Sequence, residues 1–145
     1  MPAPTVVELT GVAGLLLVTI CLGTVVHELT HAAALSVFGI PYTVVWLSDR
    51  SSGQFAAGVA GTWASVVPQT VQVDTSPWEV RLAAMAPVVL AVPFLTIPLG
   101  FVPESVVMGD VARLAVAIAW LGCALPSPQD FSLFWYAERA LDLAS

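Results

Sequence analysis

Lysine is absent from this 145-residue sequence, and charge of either sign is scarce. Charged residues make up 10% of the chain and hydrophobic residues 58%, whereas an average soluble domain is about 25% charged. The four basic residues are all arginines, too few to form the basic patch that nucleic-acid binding requires. The composition therefore argues against a nucleic-acid partner and predicts that a lipid bilayer surrounds most of the chain.

Cysteine and histidine are also rare, with two residues of each. Cys21 and Cys123 lie singly inside apolar runs, without the paired spacing of a thiolate zinc site or the density of a disulfide framework. We interpret them as small core residues. The two histidines, by contrast, lie close together at positions 27 and 31.

Long apolar runs are abundant, and they predict an all-α membrane protein with a bundle of about three transmembrane helices in one domain, residues 1–145. The first helix is expected over residues 6–38, because a glycine C-cap signal and a proline follow at 39–41. The second is expected over 76–99, starting at a Ser-Pro N-cap signal. Kinks are expected at Pro87, Pro93 and Pro98, with neighbouring helices satisfying the freed carbonyls. The third is expected over 105–125.

The remaining segments predict a small strand-containing loop and an amphipathic C-terminal helix. β-forming residues at 42–46 and 70–73 lie on either side of a segment that begins with the predicted turn 49–53. The stretch 53–67 between them is apolar but shorter than about 17 residues and rich in glycine, so we interpret it as re-entrant or surface-lying. After Pro128, aromatic residues alternate with charged ones, which favours a helix at the membrane interface.

Arginine placement predicts the orientation of this multi-pass protein in the cell membrane. Arg50 and Arg81 flank the first loop and Arg139 lies in the tail, against Arg113 alone on the other side. Because cytoplasmic loops are enriched in basic residues, the first loop and the C-terminus are expected in the cytoplasm.

The most informative pattern is His27-Glu28-Leu29-Thr30-His31 at the end of the first apolar run. On a helix this spacing places two imidazoles one turn apart on one face, where both can bind one Zn²⁺ while the glutamate reaches its water. A zinc ligated by His27 and His31, one per chain, with Glu28 as general base, is the expected centre. The alternative is that these residues only pack in a helix bundle and have no function. We consider it poor, because placing an ionisable side chain inside a membrane costs about 2.5–3.5 kcal/mol.

Through this motif the sequence resembles the site-2 protease family of intramembrane zinc metalloproteases and its small zincin-like relatives. In that family a second helix carries a Gly-Pro pair, and a third helix brings an aspartate ligand after an Asn-Pro-x-Pro-x-x-Asp stretch. Ala86-Pro87 is similar to the first, and the run from Pro126 to Asp130 is similar to the second. The resemblance implies that Asp130 is the third zinc ligand.

Depth in the membrane separates the acidic candidates for that third ligand. If the first and third helices run in the same direction, Asp130 lies level with the histidines, whereas Glu104 and Asp110 lie about 30 Å away at the opposite face. Asp110 is expected to pair with Arg113 instead. Asp74 and Glu79 lie at a suitable depth and stay open as rivals, and N-capping of the tail helix is the alternative role for Asp130.

The expected function is hydrolysis of peptide bonds in or near transmembrane segments of membrane-protein substrates. Two other classes stay open, a catalytically inactive zinc-binding membrane scaffold and a metal transporter. The loop after the first helix could offer a strand edge to an unwound substrate, or serve as a structural lid. The sequence leaves open a homo-oligomer or a regulatory membrane partner.

Overall fold

A computed structural model of the chain describes residues 5–46, 64–68, 75–101, 103 and 110–144. These residues are mostly helical, which confirms the predicted fold class. The elements are the helices α1 (Val6–Val37), α2 (Pro77–Ala84), α3 (Val92–Leu95), α4 (Val111–Ala124), α5 (Pro128–Trp135) and α6 (Ala137–Ala144), a 3-10 helix (Ala86–Ala91), and the strands β1 (Tyr42–Trp46) and β2 (Ala64–Pro68).

Two helical stretches of the described chain are long and apolar enough to cross a membrane. They are α1 and the stretch Val111–Trp135, which contains α4 and α5. The pair Pro77–Ala84 and Ala86–Leu95, bent by 41°, adds a third span if it is counted as one. This agrees with the prediction of about three membrane helices.

Helix α1 ends as the sequence predicts. Gly39 has a positive φ of 69°, which a residue with a side chain rarely adopts. The amide of Ile40 donates to the carbonyl of Leu35 at 2.9 Å, and the amide of Gly39 donates to that of Ser36 at 3.2 Å. These two bonds form the glycine C-cap that satisfies the last carbonyls of a helix.

The predicted second helix, 76–99, is bent by 41° next to Pro87 as expected, but it is not one α-helix and it ends at Leu95. Its start is correct, because Ser76 is the N-cap of α2 and Pro77 occupies the first turn. The α-helix stops at Ala84, and a 3-10 helix and the short α3 follow. Pro87 and Pro93 explain the break, since neither has an amide N–H to continue the helical ladder.

The third helix begins later than predicted. Asp110 is the N-cap of α4, and its carboxylate accepts a hydrogen bond from the Arg113 amide at 2.8 Å. The Arg113 Nε also lies 3.1 Å from Asp110 Oδ2, which confirms the predicted pairing of these two residues. The part of the predicted helix from 105 to 109 lies outside the described residues.

The loop after α1 contains a two-stranded antiparallel sheet. The predicted strand at 42–46 is confirmed as β1, with Tyr42 opposite Pro68 and Trp46 opposite Ala64. Strand β2 covers 64–68, the end of the stretch 53–67 that we expected to be re-entrant or surface-lying, and its run Ser-Val-Val suits a pleated strand. Residues 53–63 and the second predicted strand, 70–73, lie outside the described residues.

The chain forms two compact units, and the first comprises Met1–Gly23 and Val88–Leu125. Within it Gly23 is buried against Cys123, so close that a Cβ at position 23 would lie 2.6 Å from the Cys123 Sγ. The indole of Trp120 donates to the carbonyl of Leu90 at 3.1 Å. In a 3-10 helix that carbonyl would accept from residue 93, which is a proline. A neighbouring side chain thus satisfies a backbone group that a proline frees, as expected.

The second unit comprises Thr24–Pro87 and Pro126–Ser145. Its core is formed by small and aliphatic side chains from α1, the turn after it, α2 and α6: Leu35, Ile40, Val80, Ala83 and Ala137. Arg81 joins α2 to the C-terminal helices, donating to the Phe134 carbonyl at 3.2 Å and to Glu138 at 3.0 Å. Helix α6 buries Ala137 and exposes Glu138 and Arg139, which confirms the predicted amphipathic C-terminal helix.

Candidate metal centre

The last third of α1 carries both histidines of the chain on one face. His27 and His31 are separated by four residues, and each is buried, with 8% of its surface exposed. Their Nε2 atoms lie 3.3 Å apart, as expected for side chains one helical turn apart. Two imidazole nitrogens therefore point to one position inside the second unit.

Helix α5 brings a carboxylate to the same position. Asp130 Oδ1 lies 3.2 Å from His31 Nε2, and Asp130 Oδ2 lies 3.5 Å from His27 Nε2. The three side chains form the one group of histidine, cysteine or acidic residues within the described part of the chain that could hold a metal ion. The structure thus brings together the three predicted ligands.

A capping box fixes the Asp130 side chain. The amide of Ser127 donates to Asp130 Oδ2 at 2.6 Å, and the Ser127 hydroxyl accepts from the Asp130 amide at 3.2 Å. Ser127 is therefore the N-cap of α5, and Asp130 is the third residue of the helix. The alternative in which Asp130 itself is the N-cap is wrong, and the capping box orients its carboxylate towards the histidines.

The backbone of α2 determines which nitrogen of His31 carries a proton. His31 Nδ1 lies 2.8 Å from the Ala83 carbonyl oxygen, which can only accept a hydrogen bond. Nδ1 is therefore the donor, and in the neutral ring Nε2 carries the lone pair. This lone pair points at the Asp130 carboxylate and at His27.

Such an arrangement of lone pairs suits a cation. A nitrogen lone pair and a carboxylate oxygen repel each other at 3.2 Å, unless a positive charge lies between them. A proton can bridge only two of the atoms that converge here, whereas a metal ion can contact all three residues. A histidine that donates its other nitrogen to a carbonyl is also the usual state of a metal ligand.

Zinc fits this donor set in both chemistry and spacing. Imidazole nitrogen and carboxylate oxygen are among its common ligands. Donor atoms of a tetrahedral zinc site lie about 3.3 Å apart, given metal–ligand distances of about 2.0–2.1 Å. The two Nε2 atoms, 3.3 Å apart, match this value. Each Nε2 also has one oxygen of Asp130 at a similar distance, Oδ1 at 3.2 Å from His31 and Oδ2 at 3.5 Å from His27. Three protein ligands would leave the fourth position for water.

The remaining predicted residues lie as follows. Glu28 follows His27 on α1 and is half-buried. Glu79 is not part of the cluster, and its carboxylate accepts from the Ser76 amide at 3.0 Å at the start of α2. Asp110 is paired with Arg113. Asp74 and Glu104 lie outside the described residues.

Sequence reasoning missed two backbone contributions to this site. The Ala83 carbonyl orients His31, and the Ser127 amide orients Asp130. The first had a signal in the proline four residues after Ala83, which removes the usual helical donor. The second had one in the spacing Ser-Pro-x-Asp, a capping-box pattern.

Comparisons of the chain with protein-family models, with curated proteins and with solved structures find no match.

Proposed function

We propose that this chain is an intramembrane zinc metalloprotease that hydrolyses peptide bonds in or near transmembrane segments of other membrane proteins. His27, His31 and Asp130 would hold one zinc ion, and Glu28 would be the general base. The observation that carries the proposal is the convergence of His31 Nε2, His27 Nε2 and the Asp130 carboxylate within 4.8 Å of one another.

The chemistry of the proposed site follows from these residues. A bound zinc ion would supply a water with a pKa of about 7 and polarise the carbonyl of the substrate. Glu28 is adjacent to His27 on the same helix, so its carboxylate would take the proton of the attacking water and return it to the leaving amine. The Ala83 carbonyl would keep His31 in its ligating orientation, and the Ser127 amide would do the same for Asp130.

The surroundings of the motif support a substrate within the membrane. The histidines belong to a 32-residue helix that is apolar enough to span a bilayer. A water-soluble substrate would not reach a site at that position as readily as a membrane helix that unwinds beside it. Two segments, 27–31 and 126–130, resemble motifs of the site-2 protease family, and this resemblance supports the same class of enzyme.

Co-expression with single-span membrane proteins tests the proposal. The parent chain and Glu28→Gln are compared for cleavage of the candidates, and both are purified in detergent for elemental analysis. The proposal predicts cleavage by the parent only, with equal zinc in both proteins, because glutamine lacks the basic carboxylate but does not alter the ligands.

Two outcomes would favour the rival functions. Binding of the same partners without cleavage by the parent, with zinc retained, would indicate a catalytically inactive scaffold. Zinc uptake into vesicles that contain the parent, without cleavage, would indicate a metal transporter. The parent and Glu28→Gln would then both leave the candidate proteins uncut and would contain equal zinc.

A further inference from the structure

Pro87 stands four residues after Ala83 at the end of α2. In a regular α-helix the Ala83 carbonyl would accept a hydrogen bond from the amide of residue 87. Proline has no amide hydrogen, so that bond cannot form. The amide of Met85 faces the carbonyls of Arg81 and Ala83 at the helix C-cap. A carbonyl oxygen has two lone pairs, so the Ala83 oxygen can accept a second hydrogen bond. The Ala83 oxygen is therefore open to a donor from another helix.

That donor is the imidazole of His31, whose Nδ1 lies 2.8 Å from the Ala83 oxygen. Ala83 and Pro87 are both buried, and Ala83 packs in the core that α1 and α2 share. Water is thus excluded from the carbonyl, and leaving its second lone pair and the buried His31 Nδ1 without partners would be costly. The hydrogen bond to His31 satisfies both groups at once.

We propose that Pro87 is a positioning residue of the metal centre. By removing the helical donor to Ala83, it reserves this carbonyl for His31 Nδ1 and so holds His31 in the tautomer that turns the Nε2 lone pair towards His27 and Asp130. This inference rests on the proposed zinc site for its effect on metal binding. Its effect on the His31 tautomer does not depend on the metal.

The substitution Pro87→Ala restores an amide N–H that can bond to the Ala83 carbonyl and compete with His31. Zinc affinity is measured in detergent by competition with a chromophoric chelator. Loss of a hydrogen bond that supports a metal ligand typically weakens binding about 10–100-fold, and we expect a loss in that range. Pro93→Ala is the matched control, because the carbonyl that Pro93 frees is bound by Trp120 in the other unit. It should leave zinc affinity unchanged.

A second variant weakens the acceptor without changing Pro87. Lactic acid in place of Ala84, introduced by nonsense suppression, converts the Ala83 carbonyl to an ester carbonyl, which is a weaker acceptor. Lactic acid in place of Ala83 is the control, since it makes the same kind of change to the Leu82 carbonyl. Only the first should weaken zinc binding.

Nitrogen NMR of the imidazoles in zinc-free protein at alkaline pH provides a readout that a general loss of stability would not change. His31 should carry its proton on Nδ1 in the parent and in Pro93→Ala, and on a mixture of both nitrogens in Pro87→Ala. The inference would be overturned by an unchanged tautomer in Pro87→Ala, or by equal zinc affinity in Pro87→Ala and Pro93→Ala. A parent that binds no zinc would remove the proposed function, and the tautomer would then decide the inference alone.

Discussion

Replacing Asp130 by alanine removes a side chain that caps a helix and that we propose as a zinc ligand. Its Oδ2 accepts the Ser127 amide in the capping box of α5, and both oxygens face the histidines. The first role concerns the stability of a helix end, and the second concerns metal binding. The substitution should therefore change two measured quantities by different amounts.

The magnitudes follow from each role. Loss of a helix cap costs about 1 kcal/mol of unfolding free energy, because an amide at the helix start loses its acceptor. Structural zinc sites with four ligands bind with about 10–16 kcal/mol, so one ligand accounts for about 3 kcal/mol. This corresponds to roughly a hundredfold weaker zinc binding. The metal-binding effect should thus exceed the stability effect.

Glu79→Ala is the matched control for Asp130→Ala. Glu79 lies in the same Ser-Pro-x-acid pattern at the start of α2, and its Oε2 accepts the Ser76 amide at 3.0 Å. Both variants should lose a similar amount of unfolding free energy when zinc-free protein is heated in detergent. In a zinc competition assay only Asp130→Ala should lose affinity. Zinc retained by Asp130→Ala but lost by Glu79→Ala would refute the ligand assignment and make Glu79 the third ligand.

Two further predictions concern packing and orientation. Gly23→Ala should lower the unfolding free energy by about 1–3 kcal/mol, because its Cβ would meet Cys123 at 2.6–2.9 Å. Gly14→Ala is the control, since a Cβ there would meet nothing within 4 Å. Equal melting temperatures of the two variants would contradict the packing described for the first unit. Reporter fusions at Ser52 and Ser145 should indicate the same, cytoplasmic, side of the membrane, and opposite sides would contradict the predicted orientation.

Elements with local signals were predictable from the sequence. The end of α1 followed from Gly39, since a positive φ at a helix C-cap favours glycine over other residues. The start of α2 followed from Ser76 and Pro77. The closeness of His27 and His31 followed from helical geometry alone, because residues four apart lie on one face.

Features that depend on distant contacts were not predictable in the same way. Strand β1 was expected, but its partner at 64–68 depends on register across the loop, which local propensity does not determine. The break after Ala84 was expected as a kink, because a proline predicts a lost hydrogen bond and not what replaces it. His31 supplies the replacement from a residue far away in the sequence.

The zinc content of the purified chain tests the central claim most directly. Protein prepared in detergent under metal-replete conditions should contain one zinc per chain, and His31→Ala should lose most of it, because His31 Nε2 lies within 3.3 Å of both other proposed ligands. X-ray absorption of the parent should show nitrogen and oxygen neighbours at about 2.0–2.1 Å and no sulfur at about 2.3 Å. Zinc well below one equivalent in the parent, or undiminished zinc in His31→Ala, would contradict the account.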